Sequence, residues 1–228
     1  MTRILLVGHG RMGRLVEQLA PDYDCHVGAI VTGATGARGI ADAQGDFDVA
    51  IDFTAPDAVR GNLPVLAARG INVVIGTTGW HTCESEMRAI AAEHGIGVLA
   101  ASNFSIGLHI FSGAVANAAG RFAAQDDVGA WIHEAHHSGK KDAPSGTALT
   151  LQQIMRKAGY TRDISVSSTR AGAIPGTHTV GFDGPSETVT LTHTVRDRAV
   201  FARGALEVTC WLVGKKGWFT MNEFLGHT

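Results

Sequence analysis

His136 and His137 are followed within a few residues by Lys140 and Lys141, in the stretch Glu134-Ala-His-His-Ser-Gly-Lys-Lys-Asp-Ala-Pro-Ser-Gly-Thr147. Histidine has the unperturbed pKa nearest neutrality, which suits it to proton transfer at cellular pH. Lysine offers a compact positive charge for a carboxylate, or for negative charge that develops during reaction. After Pro144 a helix-patterned apolar run begins with Ala148, Leu149, Leu151, Ile154 and Met155. The expected loop therefore delivers a titratable pair and two ammonium groups to the first turn of a helix. Free backbone N–H groups and the positive end of the dipole favour anions there. Together these residues read as a site for a small anionic substrate that is protonated during reaction. Each alone has a plainer reading. A loop histidine is commonplace, and Ser145-Gly146-Thr147 after a proline is an ordinary helix N-cap.

The elements that must position this stretch are bounded by composition. A chain of 228 residues, 45% of them apolar, can bury one large core or two small ones. A formal net charge of -2 gives no support for nucleic-acid binding. Cys25, Cys83 and Cys210 are widely spaced and lack CxxC spacing. They are expected to be reduced thiols serving as small core residues, with no metal site. No signal peptide is visible, and no apolar run approaches the roughly 20 residues that span a bilayer. A soluble cytoplasmic protein without membrane partners is expected.

Arg3-Ile-Leu-Leu-Val7 reads as a strand buried on both faces. Gly8-His-Gly-Arg-Met-Gly13 follows at once, and then a helical pattern with Leu15, Val16 and Leu19. Strand, G-x-G-x-x-G, helix is the context that a dinucleotide fingerprint requires. Gly8 allows the tight turn, Gly10 the close approach of a pyrophosphate, and Gly13 the packing of helix on strand. The second strand, Cys25 to Val31, runs into Thr32-Gly-Ala-Thr-Gly36, and no acid appears before Asp42. An acid there would hold the ribose hydroxyls of NAD. Its absence, with Arg11 and Arg38 nearby in sequence, favours NADPH, with NADH as the alternative.

Further strands are expected at 47–53, 71–75 and 96–100, alternating with helices, one of which should kink or break at Pro64. This alternation specifies a doubly wound parallel sheet, with ligands beyond the carboxyl ends of its strands. After Phe104 the pattern changes to an Ala/Gly-rich helix at 106–122 and then to period-2 runs with β-branched residues. The expected fold class is α/β, a Rossmann-like doubly wound parallel sheet plus an inserted α+β domain with a mixed, mainly antiparallel sheet. The domains are expected at 1–105 with 208–228, and at 106–207.

GHGRMGR at 8–14, DFT at 52–54, GTTG at 76–79, ASNFSIG at 101–107 and EAHHSGKKDAPSGTAL at 134–149 resemble the 4-hydroxy-tetrahydrodipicolinate reductase (dihydrodipicolinate reductase) family of lysine and diaminopimelate biosynthesis. RAGAIPGTHTV at 170–180, THTVRDR at 192–198 and FARGAL at 201–206 support the resemblance, which covers essentially the whole chain. It implies NAD(P)H-dependent reduction of a cyclic imine dicarboxylate. His136 would be the proton donor and Lys140 the catalytic lysine that stabilises developing charge. His137, Gly146 and Thr147 would bind the dicarboxylate substrate. Gly8, His9, Gly10, Arg11, Met12 and Gly13 would hold the pyrophosphate. Gly76, Thr77, Thr78, Ala101, Ser102, Asn103 and Phe104 would face the nicotinamide and its ribose. A homotetramer formed through the inserted domain, and a hinge near Ser105 and Ala205, are further expectations. Lys141, where the family often has an apolar residue, and the missing acid after strand two are departures. Two rivals are a different small NAD(P)-dependent dehydrogenase of amino-acid metabolism and a non-catalytic dinucleotide sensor. A sensor has no need of a proton donor.

Overall fold

The computed structural model describes residues 1–226. The chain divides into two units, one built from Met1–Ser105 together with the segment from Ala199 onward, the other from Ile106–Arg198. No helix among the described residues is long and apolar enough to cross a membrane.

The first unit holds strands β1 (Thr2–Val7), β2 (Cys25–Val31), β3 (Val49–Asp52), β4 (Asn72–Ile75) and β5 (Gly97–Ala100), with a last strand at Gly217–Phe219. All pair in parallel, in the order Gly217–Phe219, β5, β4, β3, β1, β2. Ile4 to Val7 and every residue of β3 and β4 are buried, as continuous apolar runs in a sheet covered on both faces require. Helices α1 (Arg11–Leu19), α2 (Gly36–Asp42), α3 (Pro56–Ala68) and α4 (Glu84–His94) connect the strands. The order reverses at β1, whose neighbours are β3 and β2. This reversal is the switch point at which such sheets bind ligands. Of the kink or break expected at Pro64, the break does not occur: α3 continues through it to Ala68. Burial of Val59, Leu63, Leu66 and Ala67 carries the helix past the missing N–H.

The helix Ala199–Leu212 belongs to this unit from its first residue, earlier than the boundary after residue 207 read from the sequence. Ala202, Ala205, Leu206, Val208 and Leu212 on it are fully buried. Gly204 lies so close to Phe104 that a Cβ would sit 1.9 Å from the Phe104 carbonyl oxygen. Of the three cysteines expected in the core, only Cys25 is buried; Cys83 is half-buried and Cys210 exposed.

The second unit packs helices α5 (Ile106–Phe122) and α6 (Gly146–Lys157) with a sheet of β6 (Gly129–His136), β7 (Ile164–Arg170), β8 (Thr177–Asp183) and β9 (Thr188–Thr194). The order is β7-β6-β8-β9; β6 and β7 are parallel, joined through α6, and the other pairs are antiparallel. Phe111 and Val115 of α5, Leu151 and Met155 of α6, Ile132 of β6, and Val180 and Phe182 of β8 form its core with Tyr160.

Candidate active site

Alternate residues of β6 point into the core: Ala130, Ile132 and then Glu134 are buried. His136, the next in this phase, ends the strand and is not in the loop expected for it. The register sets Glu134 opposite the buried His178 of β8, and His136 beside Arg170 of β7. Nη1 of Arg170 donates to Oε2 of Glu134 at 2.9 Å and Nη2 to Oε1 at 2.7 Å, a bidentate pair. The Ser145 amide donates to Oε1 at 3.2 Å, and Nδ1 of His136 lies 2.5 Å from Oε2. Burial pushes the Glu134 carboxyl up, but hydrogen bonds from Arg170, Ser168 and His136 outweigh it and bring it down to about 2. His178 packs edge-on against His136, centroids 5.1 Å apart, with Nε2 3.2 Å from the Ser145 hydroxyl. Burial first, and then the His136 charge, lowers the His178 pKa to about 4, so its ring is neutral at physiological pH. Glu134, His136 and His178 place ligand atoms within 4.8 Å of one another, a spacing that could hold a cation. Both carboxylate oxygens are already committed to Arg170, whose guanidinium supplies positive charge there.

Beyond β6 the chain turns, with the Lys140 amide donating to the His137 carbonyl at 3.1 Å. Nζ of Lys140 lies 2.8 Å from Oδ1 of Asp142. The hydrogen bond from Lys140, and then Asp142's own backbone amide, hold the Asp142 carboxyl below its ordinary range. Ser145 caps α6 by accepting from the Ala148 amide at 3.2 Å, and the first turn contains no acid. Gly146 is exposed and Thr147 half-buried at this helix start. His136, Lys140, Gly146 and Thr147 thus gather at one end of the second unit's sheet. A cavity of about 610 Å³ lined by Phe122, Asp127, Phe182, Pro185 and Glu187 lies at the other end, where Gly129 pairs with Asp183.

In the first unit the sequence-predicted cofactor residues line up along the carboxyl ends of adjacent strands. Amides at these ends bond the neighbouring strand: Gly8 to Val31, Phe53 to Val7, Gly76 to Asp52 and Ala101 to Ile75. Gly8 has φ +95°, and a Cβ on it would lie 2.3 Å from the Phe53 oxygen. A Cβ on Gly13 would lie 2.1 Å from the Gly8 oxygen, whereas one on Gly10 meets nothing within 4 Å. Gly10 starts α1 with no side-chain cap and no acid in the first turn. An open space over uncapped amides fits a pyrophosphate. Arg11 is exposed, Met12 half-buried, and His9 pairs with Glu17 at 2.7 Å. Arg38, considered for a 2′-phosphate, pairs with Asp42 at 3.5 Å. Thr78 and Ser102 are exposed, and Ala101 and Asn103 half-buried. Phe104 is buried edge-on against Phe53. Thr77 is turned inward, its hydroxyl donating to Asp52 at 2.8 Å. The buried Asp52 carboxylate also takes the Thr54 amide and hydroxyl and the Asn62 amide group, which ties the ends of β3 and β4 to α3.

Glu134, Arg170, His178 and Asp52 were not singled out from the sequence. A signal existed for Glu134: it stands at an inward position of a period-2 run, where an unpaired carboxylate would be costly. His178 shares the phase of Val180 and Phe182 in the same way.

The family model described as "Dihydrodipicolinate reductase, N-terminus" matches residues 2–104, and "Dihydrodipicolinate reductase, C-terminus" matches residues 107–225. A 4-hydroxy-tetrahydrodipicolinate reductase of Methanoregula boonei is 37% identical over 99% of this chain and 98% of its own. One of Christiangramia forsetii is 34% identical over 97% of each. The solved structure of a dipicolinate-bound dihydrodipicolinate reductase from Paenisporosarcina sp. TG-14 shares the fold, with a TM-score of 0.81 and 21% identity over 99% of both chains.

Proposed function

The chain belongs to the dihydrodipicolinate reductase family of oxidoreductases, and we propose that it reduces 4-hydroxy-tetrahydrodipicolinate, via dihydrodipicolinate, to tetrahydrodipicolinate with NAD(P)H. This places it in lysine and diaminopimelate biosynthesis. The observation that carries the reading is the convergence of His136, Arg170 and Ser145 on the Glu134 carboxylate, beside Lys140 and the start of α6. Gly8 to Gly13 hold the pyrophosphate, and the strand ends at Gly76–Thr78 and Ala101–Phe104 meet the nicotinamide and its ribose. The nicotinamide supplies hydride when bound. Lys140 stabilises the negative charge that develops on the conjugated imine, and His136 supplies the proton. His137, Gly146 and Thr147 hold the substrate carboxylates, the latter two through helix-start amides. His9 and Met12 act through their backbone in the glycine loop. Thr77 acts indirectly, because its hydroxyl is occupied by Asp52.

NADPH is the preferred cofactor in this reading, since β2 ends without an acid and Asp42 is paired with Arg38. The protein works in the cytoplasm as a homotetramer built on the second unit's sheet; sedimentation velocity checks the assembly. The reaction is tested by following absorbance at 340 nm while dihydrodipicolinate synthase generates the substrate, with NADPH and NADH in parallel. Synthase-dependent oxidation of the cofactor, faster with NADPH, is expected. Turnover with a semialdehyde, or of an amino acid with the oxidised cofactor, and none with the synthase product would assign the chain to another dehydrogenase class.

A further inference from the structure

We propose that Glu134 is a positioning residue that sets which nitrogen of His136 gives up its proton; the proposal rests on the reading of His136 as the proton donor. An ionised carboxylate accepts hydrogen bonds and cannot donate one. The hydrogen between Oε2 of Glu134 and Nδ1 of His136, 2.5 Å apart, therefore belongs to the ring. Nδ1–H persists in the imidazolium before transfer and in the neutral ring after it. Nε2 is the nitrogen that delivers. Its N–H bond breaks with the electron pair left on the ring, and the proton bonds to the substrate carbon that carries the developing negative charge. Gly176 adjoins this nitrogen; a Cβ there would lie 3.2 Å from Nε2.

The carboxylate is itself immobilised. Oε1 takes Nη2 of Arg170 and the Ser145 amide, and Oε2 takes Nη1 of Arg170 and His136. Arg170 sits beside His136 in the β6–β7 register and Ser145 caps α6, so strand and helix together fix the carboxylate's orientation. A plainer role for Glu134, neutralising half-buried Arg170, makes no demand on the tautomer. Substitution separates the two roles because the oxygens are not equivalent. In Glu134→Gln the side-chain oxygen belongs at the Oε1 place, where the Ser145 amide and Arg170 both donate. The NH₂ group then faces Nδ1, which must become an acceptor, and the ring proton moves to Nε2.

The experiment compares wild type, Glu134→Gln and the double variant Glu134→Gln/Arg170→Gln. Steady-state kinetics are combined with ¹⁵N NMR of the histidine rings, and NADPH binding is followed by fluorescence. The double variant removes both charges of the pair and leaves neither uncompensated, so it serves where the single variant unfolds. In the folded variant kcat is expected to fall by roughly 10²–10⁴-fold, the range for a lost positioned acid or a wrong tautomer. NADPH affinity stays at the wild-type value, and the His136 ring changes from the Nδ1–H to the Nε2–H pattern. A folded variant with wild-type kcat, or with His136 still protonated at Nδ1, overturns the proposal. Failure of the underlying reading looks different, because His136→Gln would then retain turnover whatever the tautomer.

Discussion

Oδ1 of Asp142 lies 2.8 Å from Nζ of Lys140. A group proposed to meet the substrate therefore already holds a carboxylate, one supplied by the chain. A substrate dicarboxylate must compete with it. Asp142 is 55% exposed, and exposed pairs are worth at most about 1 kcal/mol. Asp142→Asn is expected to lower the KM for substrate by up to about fivefold with kcat little changed. Steady-state kinetics in the coupled assay check this. A raised KM would show that Asp142 serves mainly to orient Lys140.

His136→Gln and Lys140→Ala test the assigned chemistry. Removing a positioned acid costs about 10²–10⁴-fold, and removing a charge-stabilising donor about 10²–10³-fold, in kcat. NADPH binding, followed by fluorescence titration, is expected to be unchanged in both. Loss of cofactor affinity along with turnover would contradict the placement of these residues on the substrate side.

The glycines of the fingerprint separate stability from binding. Gly8→Ala forces a methyl against the Phe53 carbonyl at positive φ, and Gly13→Ala one against the Gly8 carbonyl. Each is expected to lose about 1–3 kcal/mol or more in urea unfolding. Gly10→Ala places its methyl in open space. It should unfold like the wild type yet bind NAD(P)H about tenfold more weakly or worse, because the methyl occupies room that a pyrophosphate needs.

Stability should fall on acidification in two overlapping windows. His178 has a folded pKa of about 4 against 6.5 for the free side chain. Between these values the unfolded chain binds a proton that the folded chain does not, so stability drops as pH falls from about 6.5 to about 4. Burial of His193 acts in the same direction. Glu134, at about 2 against 4.5, adds stability that is complete above about 4.5 and lost as pH falls towards about 2. Urea midpoints measured across this range should decline, and His178→Gln should flatten the upper window by at most about 3 kcal/mol.

The parallel sheet was legible because β1, β3, β4 and β5 are apolar runs bounded by glycine and polar turns, a local pattern. The loop from His137 to Thr147 was legible because its titratable residues are adjacent in sequence. Glu134 and His178 stand at inward positions of period-2 runs, but their meeting with each other and with Arg170 depends on strand register, which no local pattern encodes. Thr77 was placed towards the cofactor by its position in GTTG, but its hydroxyl satisfies the buried Asp52. The limit of the second unit fell at Arg198 and not within the following helix, because Gly204 has to meet Phe104, a distant contact.

The first unit is assembled from both ends of the chain, and this fixes an order on the ribosome. All of residues 106–198 emerge before the helix Ala199–Leu212 and the strand Gly217–Phe219 exist. Until they do, β5 keeps an open edge and part of the parallel sheet stays bare. Nascent chains halted at Arg198 are expected to be protease-sensitive in residues 1–105 and protected in residues 106–198. The unit proposed to hold the dinucleotide is then the last to close, after the strand that carries His136 is already built.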